Sequence, residues 1–264
     1  MVVSKLMKKL VFIMCIPMII GNWKMNKGPQ ETTAFVQAIK GKLPIDSEVI
    51  TVIAAPALDL STLLTAAKDT SLKVASENSY FEEAGAYTGE SSPQVLSEMG
   101  VTYGIVGYSE RRGFFGENDA EVNRKAKALL RNNMLPILCV GENAKVHSSD
   151  AAKDWLVGEI HDDLADLTAL QVARMTIAYE PIWAKETKTT VTLSQIQTAA
   201  QLIRQTINDL YDATTAQQVH VVYGGSVDEI NIRGIMLQED IDGVLVGTAS
   251  LDPQTFLQLV HYNL

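Results

Sequence analysis

Glu180 is the residue around which chemistry can be arranged in this sequence. It closes the run Met175-Thr-Ile-Ala-Tyr-Glu, which reads as a buried strand. Pro181-Ile-Trp follows as a tight turn, then a polar loop, Ala184-Lys-Glu-Thr-Lys-Thr-Thr190, before a helix expected to begin near Thr192. Burying a carboxylate at the end of an apolar strand is costly unless the group is paired or hydrogen-bonded. One answer is a structural ion pair capping the strand. The other is a general base at the mouth of a barrel, its pKa raised by partial desolvation.

The ends of the other apolar runs add complementary groups. Asn22 and Lys24 follow the first run, Asn78 the third, Tyr108 and Ser109 the fourth, Gly224-Gly225-Ser226 the seventh and Gly247-Thr248 the eighth. Together these are a cation, amide and hydroxyl donors, one carboxylate and two glycine-containing turns that open helices. Such turns suit phosphate, because free N–H groups and the helix dipole point outward there. Each group alone has an ordinary role: a solvated lysine, a turn-forming asparagine, a core tyrosine with a wet tip, a plain turn. Only their convergence on one face makes a site.

The elements that would produce that convergence are eight short apolar runs, starting near residues 18, 49, 72, 103, 135, 175, 219 and 242. Most are continuous rather than alternating, as expected of parallel strands buried on both faces. Segments of helical period lie between them: Phe35, Ile39 and Leu43; Val122, Ala126, Leu129 and Leu130; Ile196, Ala200, Ile203, Ile207 and Leu210; Phe256, Leu259 and Val260. The pattern predicts a single-domain α/β fold, a (β/α)8 barrel, with an open doubly wound sheet as the alternative. A barrel brings all eight strand ends to one face.

The chain has 264 residues, about the length such a barrel takes. Residues 17–264 are read as the barrel. Residues 1–16 are read as an N-terminal extension, disordered or added by an early start codon. Lys5, Lys8, Lys9 and the apolar run from Leu10 resemble a signal peptide, but no small-x-small cleavage site follows and the run is too short to span a bilayer. The net charge of −9 argues against nucleic acid or an anionic membrane as partner. Cys15 and Cys139 lack metal-ligand spacing and fit reduced thiols in a cytoplasmic protein. No metal cluster, nucleophile-base pair or dinucleotide fingerprint is present, so no metal and no cofactor is expected.

Five motifs in order, Gly21-Asn-Trp-Lys-Met-Asn26, Gly107-Tyr-Ser-Glu-Arg-Arg112, Ala178-Tyr-Glu-Pro-Ile-Trp183, Tyr223-Gly-Gly-Ser-Val227 and Asp242-Gly-Val-Leu-Val-Gly-Thr-Ala-Ser-Leu251, resemble the triosephosphate isomerase family. The likeness runs in register from about Pro17 to the C-terminus. It implies an aldose-ketose isomerase of glycolysis and gluconeogenesis, interconverting dihydroxyacetone phosphate and D-glyceraldehyde 3-phosphate. By that resemblance Glu180 moves a proton between adjacent carbons, and Lys24 with Asn22 stabilises the enediolate. Tyr108 occupies the electrophile position. Glu186, Ser226, Gly247 and Thr248 occupy the phosphate-binding positions. Pro181 and Trp183 form the hinge of a lid, and Thr88 is an arm reaching into a second subunit of a homodimer. Glu110 and Arg111 are expected to form a structural ion pair near that interface.

The same comparison exposes departures. The family has His where this chain has Tyr108, although a phenol is also a neutral donor at pH 7. Its lid reads Ala-Ile-Gly-Thr-Gly-Lys against Ala184-Lys-Glu-Thr-Lys-Thr189 here, and Thr248 replaces a glycine. Lys185 is expected to hold Glu180 anionic and lower its pKa. A Glu186 carboxylate at ~8 Å would repel each unit of phosphate charge by roughly 2 kcal/mol, so it must point to solvent or be offset by Lys185 or Lys188. These departures keep two alternatives open: an isomerase for another small sugar phosphate such as a tetrulose phosphate, and a catalytically impaired protein with a binding role.

Overall fold

The computed structural model describes residues 15–263. Eight parallel strands close into a barrel in chain order: β1 Met18–Asn22, β2 Ile50–Ala55, β3 Lys73–Ser76, β4 Tyr103–Val106, β5 Leu135–Val140, β6 Thr176–Tyr179, β7 His220–Tyr223 and β8 Gly243–Val246. β1 pairs with both β2 and β8, Ile20 standing opposite Val52 on one side and Leu245 on the other. Each apolar run of the sequence contains one strand, and the open sheet is excluded.

The continuous apolar runs have a direct physical reading. Met18, Ile20, Val52, Ala54, Ile105, Ile137, Cys139, Ala178, Val222 and Leu245 fill the barrel interior. Their neighbours Ile19, Ile53, Val106, Leu138, Ile177, Val221 and Val244 point outward, into a second core shared with the helices. With both faces buried, alternation has no polar partner to alternate with.

Helices Pro29–Ile39, Asp119–Arg131, Leu193–Leu210 and Pro253–Val260 present the expected apolar stripes to that outer core. Leu43 lies beyond its helix and Leu210 is 38% exposed at the end of its own. The Leu193–Leu210 helix begins where expected because the Thr192 side chain caps the Gln195 amide while the Gln195 side chain returns to the Thr192 amide.

One local feature differs from expectation. The polar segment after Trp183 is a short helix, Ile182–Thr187, closed by Lys188 in the left-handed conformation at φ +55°. Its alanine, lysine and glutamate favour helix over open loop. Residues 1–14 of the expected extension lie outside the described residues. Of the other two, Cys15 Sγ donates to Gln217 O at 3.3 Å, and Ile16 O lies 3.0 Å from His220 Nε2 at the start of β7. Among the described residues no helix is long and apolar enough to cross a membrane.

Candidate active site

The C-terminal ends of the strands open into a cavity of about 960 Å3. Lys24, Tyr108, Ser109, Glu180, Pro181, Ser226, Gly247 and Thr248 all line it. Thus the cation, the phenol, the carboxylate and the two turns meet in one place.

Glu180 sits one residue past β6 and extends it, its amide donating to Val140 O at 2.8 Å. The residue is only 5% exposed. Ser109 holds its carboxylate twice, through the backbone N–H at 2.9 Å and the hydroxyl at 3.1 Å. Burial nevertheless dominates and pushes its pKa up to about 7, against the Ser109 and Tyr108 hydrogen bonds and the Lys24 charge, which pull it down. A carboxyl poised there can take up and release a proton near neutral pH.

Tyr108 follows Gly107, whose φ of +70° turns the chain out of β4. Burial raises the phenol's pKa, and the Glu180 charge raises it further. The group is therefore a neutral donor throughout the working range. The Lys24 ammonium lies 5.0 Å from the centre of its ring.

Lys24 itself has φ +54°, a left-handed conformation that few non-glycine residues adopt. Asn22, buried below it, accepts the Lys24 amide at 3.2 Å and helps hold that shape. Asn22 is not among the residues lining the cavity. The Lys24 Nζ donates to Glu110 Oε1 at 2.6 Å.

The expected Glu110–Arg111 pair is not formed. Glu110 instead bridges Lys24 and Lys185, whose Nζ lies 3.0 Å from the same oxygen. Arg111 turns to Glu117 at 3.5 Å. Burial raises the Glu110 pKa, but the two ammonium partners outweigh it and hold the carboxyl below its ordinary value. Lys185 is engaged with Glu110, and the Glu180 pKa is raised rather than lowered, against the expectation drawn from the lysine's charge. On the apolar side, Leu245 is buried in the cavity wall.

The Glu186 side chain points away from the cavity, as its charge was expected to require. Its carboxylate accepts the Ala144 amide at 2.7 Å, at the start of the short helix Ala144–His147, and the residue does not line the cavity. A free helix N–H is a better partner for an anion than a phosphate pocket is, so the charge points away from the turns at Ser226 and Gly247.

At the hinge, Pro181 lines the cavity, whereas Trp183 is buried against His147 with ring centroids 3.9 Å apart and nearly parallel. The Trp183 amide donates to Glu142 O at 3.0 Å, and the Tyr179 hydroxyl to Glu142 Oε1 at 2.9 Å. Asn78 is drawn off to Lys125 and Glu90. Thr88 lies exposed in the loop after β3. Among the described residues no cluster of His, Cys, Asp or Glu could hold a metal ion.

Sequence reasoning placed Ser109 at a strand end without giving it a task and missed Glu110 as a bridge. For Ser109 the signal was its adjacency to Tyr108. Glu110 gave none, because its partners lie 86 and 75 residues away.

The family model described as triosephosphate isomerase matches residues 17–263. Curated triosephosphate isomerases are similar over 247 residues, covering 94% of this chain and 98% of each relative: that of Pediococcus pentosaceus at 56% identity, of Latilactobacillus sakei at 53% and of Ligilactobacillus salivarius at 51%. With the barrel, the strand-end residues and this near-complete coverage in agreement, the chain belongs to the triosephosphate isomerase family.

Proposed function

We propose that the protein interconverts dihydroxyacetone phosphate and D-glyceraldehyde 3-phosphate by proton transfer through an enediolate. The observation that carries this reading is Glu180: a buried carboxyl titrating near 7, in a cavity shared with Lys24, Tyr108 and two glycine-containing turns.

In this mechanism Glu180 removes the proton from the carbon beside the substrate carbonyl and returns it to the neighbouring carbon. The electron pair released from the C–H bond moves onto the carbonyl oxygen. In the second half the adjacent hydroxyl gives up its proton and becomes the new carbonyl, its electron pair driving protonation of the original carbonyl carbon, whose oxygen takes up a proton to become the hydroxyl. Lys24 supplies positive charge there, and Tyr108 a neutral hydrogen bond. Asn22 acts by holding the Lys24 backbone. Phosphate is assigned to the backbone N–H groups around Ser226, Gly247 and Thr248. Glu186 joins only through its amide, after the lid moves, with its carboxylate kept away. Pro181 and Trp183 serve as the hinge.

A homodimer accompanies this reading. Met25 after β1 is 97% exposed, Phe115 after β4 is 71% exposed, and Thr88 after β3 is exposed as well, each following a strand's C-terminal end. Unpaired large apolar groups near a protruding loop are what a second copy would cover. Sedimentation velocity tests it, with Met25→Asp expected to yield monomer. Cytoplasmic placement rests on the two free thiols, Cys15 and Cys139.

The decisive experiment is a coupled assay in both directions on protein purified free of host isomerase, with Glu180→Gln as control. Turnover lost in the variant is the expected result. No turnover of either triose by the unaltered protein would sink the reading.

A further inference from the structure

Behind the cavity lies a buried ionic cluster to which the reaction as described gives no role. Arg112 is its centre. Its Nε donates to Gly107 O at 2.9 Å, and its two other nitrogens meet Asp119 and, at 2.7 Å, Asp163. Glu159, 7% exposed, sits beside the Nε at 3.6 Å and accepts the Gly141 amide at 2.7 Å. Three carboxylates therefore face one guanidinium.

The two backbone groups held here are not arbitrary. Gly107 precedes Tyr108 and Ser109, the latter holding the Glu180 carboxylate. Gly141 follows β5 and lies so close against the Glu180 backbone that a side chain at 141 would collide with the Glu180 carbonyl. Its neighbours bind the same segment: Val140 O accepts the Glu180 amide, and Glu142 O accepts that of Trp183. Through Gly141, Glu159 grips the short stretch of β5 on which both the candidate base and the lid hinge rest.

We propose that Glu159 is a positioning residue for Glu180, fixing the β5 end through the Gly141 amide and placing a second buried negative charge behind the base. The inference rests on Glu180 being the base of the proposed isomerisation. Burial pushes the Glu159 carboxyl itself up to about 7, against Arg112 and the Gly141 bond, while Asp119 and Glu180 add to the rise. The charged and titratable groups facing it are Arg112, Asp119, Asp163, Cys139 and Glu180. Two interacting carboxyls that titrate in the same range share their protons, so the wild-type curve for Glu180 is expected to be broadened.

The test uses the unliganded full-length protein with 13C-labelled glutamate carboxyls, the Glu180 resonance being assigned by its loss in Glu180→Gln. Glu159→Gln keeps an acceptor for Gly141 and removes the charge. Its Glu180 midpoint is expected to fall by about half to one unit and the curve to sharpen. The variant-to-wild-type ratio of kcat/KM at pH 6 is then about 2.5 to 5.5 times its value at pH 9, a ratio in which the substrate's own phosphate titration cancels. Glu159→Leu, which removes the acceptor as well, is expected to lower the plateau kcat about tenfold with KM little changed. An unmoved Glu180 midpoint in Glu159→Gln would overturn the proposal. If the wild-type protein turns over neither triose, the isomerase reading fails while the carboxyl titration still decides the coupling.

Discussion

Lys24 and Lys185 hold the same oxygen of Glu110, at 2.6 and 3.0 Å. One ammonium belongs to the strand-end chemistry and the other to the first turn of the lid, so the bridge joins them mechanically. Any movement that carries Lys185 off Glu110 breaks an ion pair and returns the whole carboxylate to Lys24. The pair is worth little, because the Lys185 side chain is 66% exposed and screened by solvent.

Lys185→Met should therefore ease lid movement modestly. KM is expected to fall about two- to fivefold, in keeping with the ~0.2–1 kcal/mol of an exposed pair. Steady-state kinetics at low and high salt checks this. The wild-type and variant KM values should converge as salt screens the bridge, and a ratio unmoved by salt would show that Lys185 acts otherwise.

Tyr108→Phe isolates the phenol. The ring and its contact with Lys24 remain while the donor is lost. Removing one oxyanion donor typically costs about 10²–10³ in kcat, and a loss of that order with KM nearly constant is expected. Because both burial and the Glu180 charge keep the phenol protonated, the wild-type pH profile should show no alkaline limb from Tyr108 below pH 10. Retained kcat in the phenylalanine variant would mean that Lys24 alone polarises the carbonyl.

The barrel was legible because burial on both faces leaves a local mark: Ile19 and Ile20 face different cores, yet both must be apolar. The convergence of Lys24, Tyr108, Glu180 and Gly247 followed from topology, since a barrel sends every strand end to one rim. Side-chain direction did not follow. Lys185 was expected to act on Glu180 because it stands where the family's lid has an apolar Ile, but its ammonium found Glu110, 75 positions earlier in the chain. Glu186 was expected to turn its carboxylate to solvent or to Lys185 or Lys188, but the partner it finds is the Ala144 amide. Local pattern fixes where a charged residue starts; its partner is chosen by long-range packing that the pattern does not carry.

Glu186→Ala tests that last contact. It should release the Ala144 amide and destabilise the Ala144–His147 turn by about 1 kcal/mol, the scale of a lost helix cap. Affinity for inorganic phosphate should not weaken, since the carboxylate lies outside the cavity. Isothermal titration with phosphate, together with hydrogen exchange across residues 143–147, reads both effects. Tighter protection in the variant would contradict the geometry.

Glu180 should also cost the protein stability at the pH where it works. Its carboxyl is raised from 4.5 in the unfolded chain to about 7 when folded, chiefly by burial. The folded state therefore binds the proton more tightly. The stability this group contributes is full below pH 4.5 and is lost as pH rises through 7. Glu180→Gln removes the titration while keeping the shape, so its melting temperature should exceed that of the wild type at pH 8. The gain is up to about 3 kcal/mol, or several degrees for a chain of this size. The difference should shrink as pH falls and vanish near 4.5. Calorimetry of both proteins across pH 4.5 to 8 measures it, and equal melting temperatures at pH 8 would mean that the Ser109 hydrogen bonds offset the cost of burying the charge.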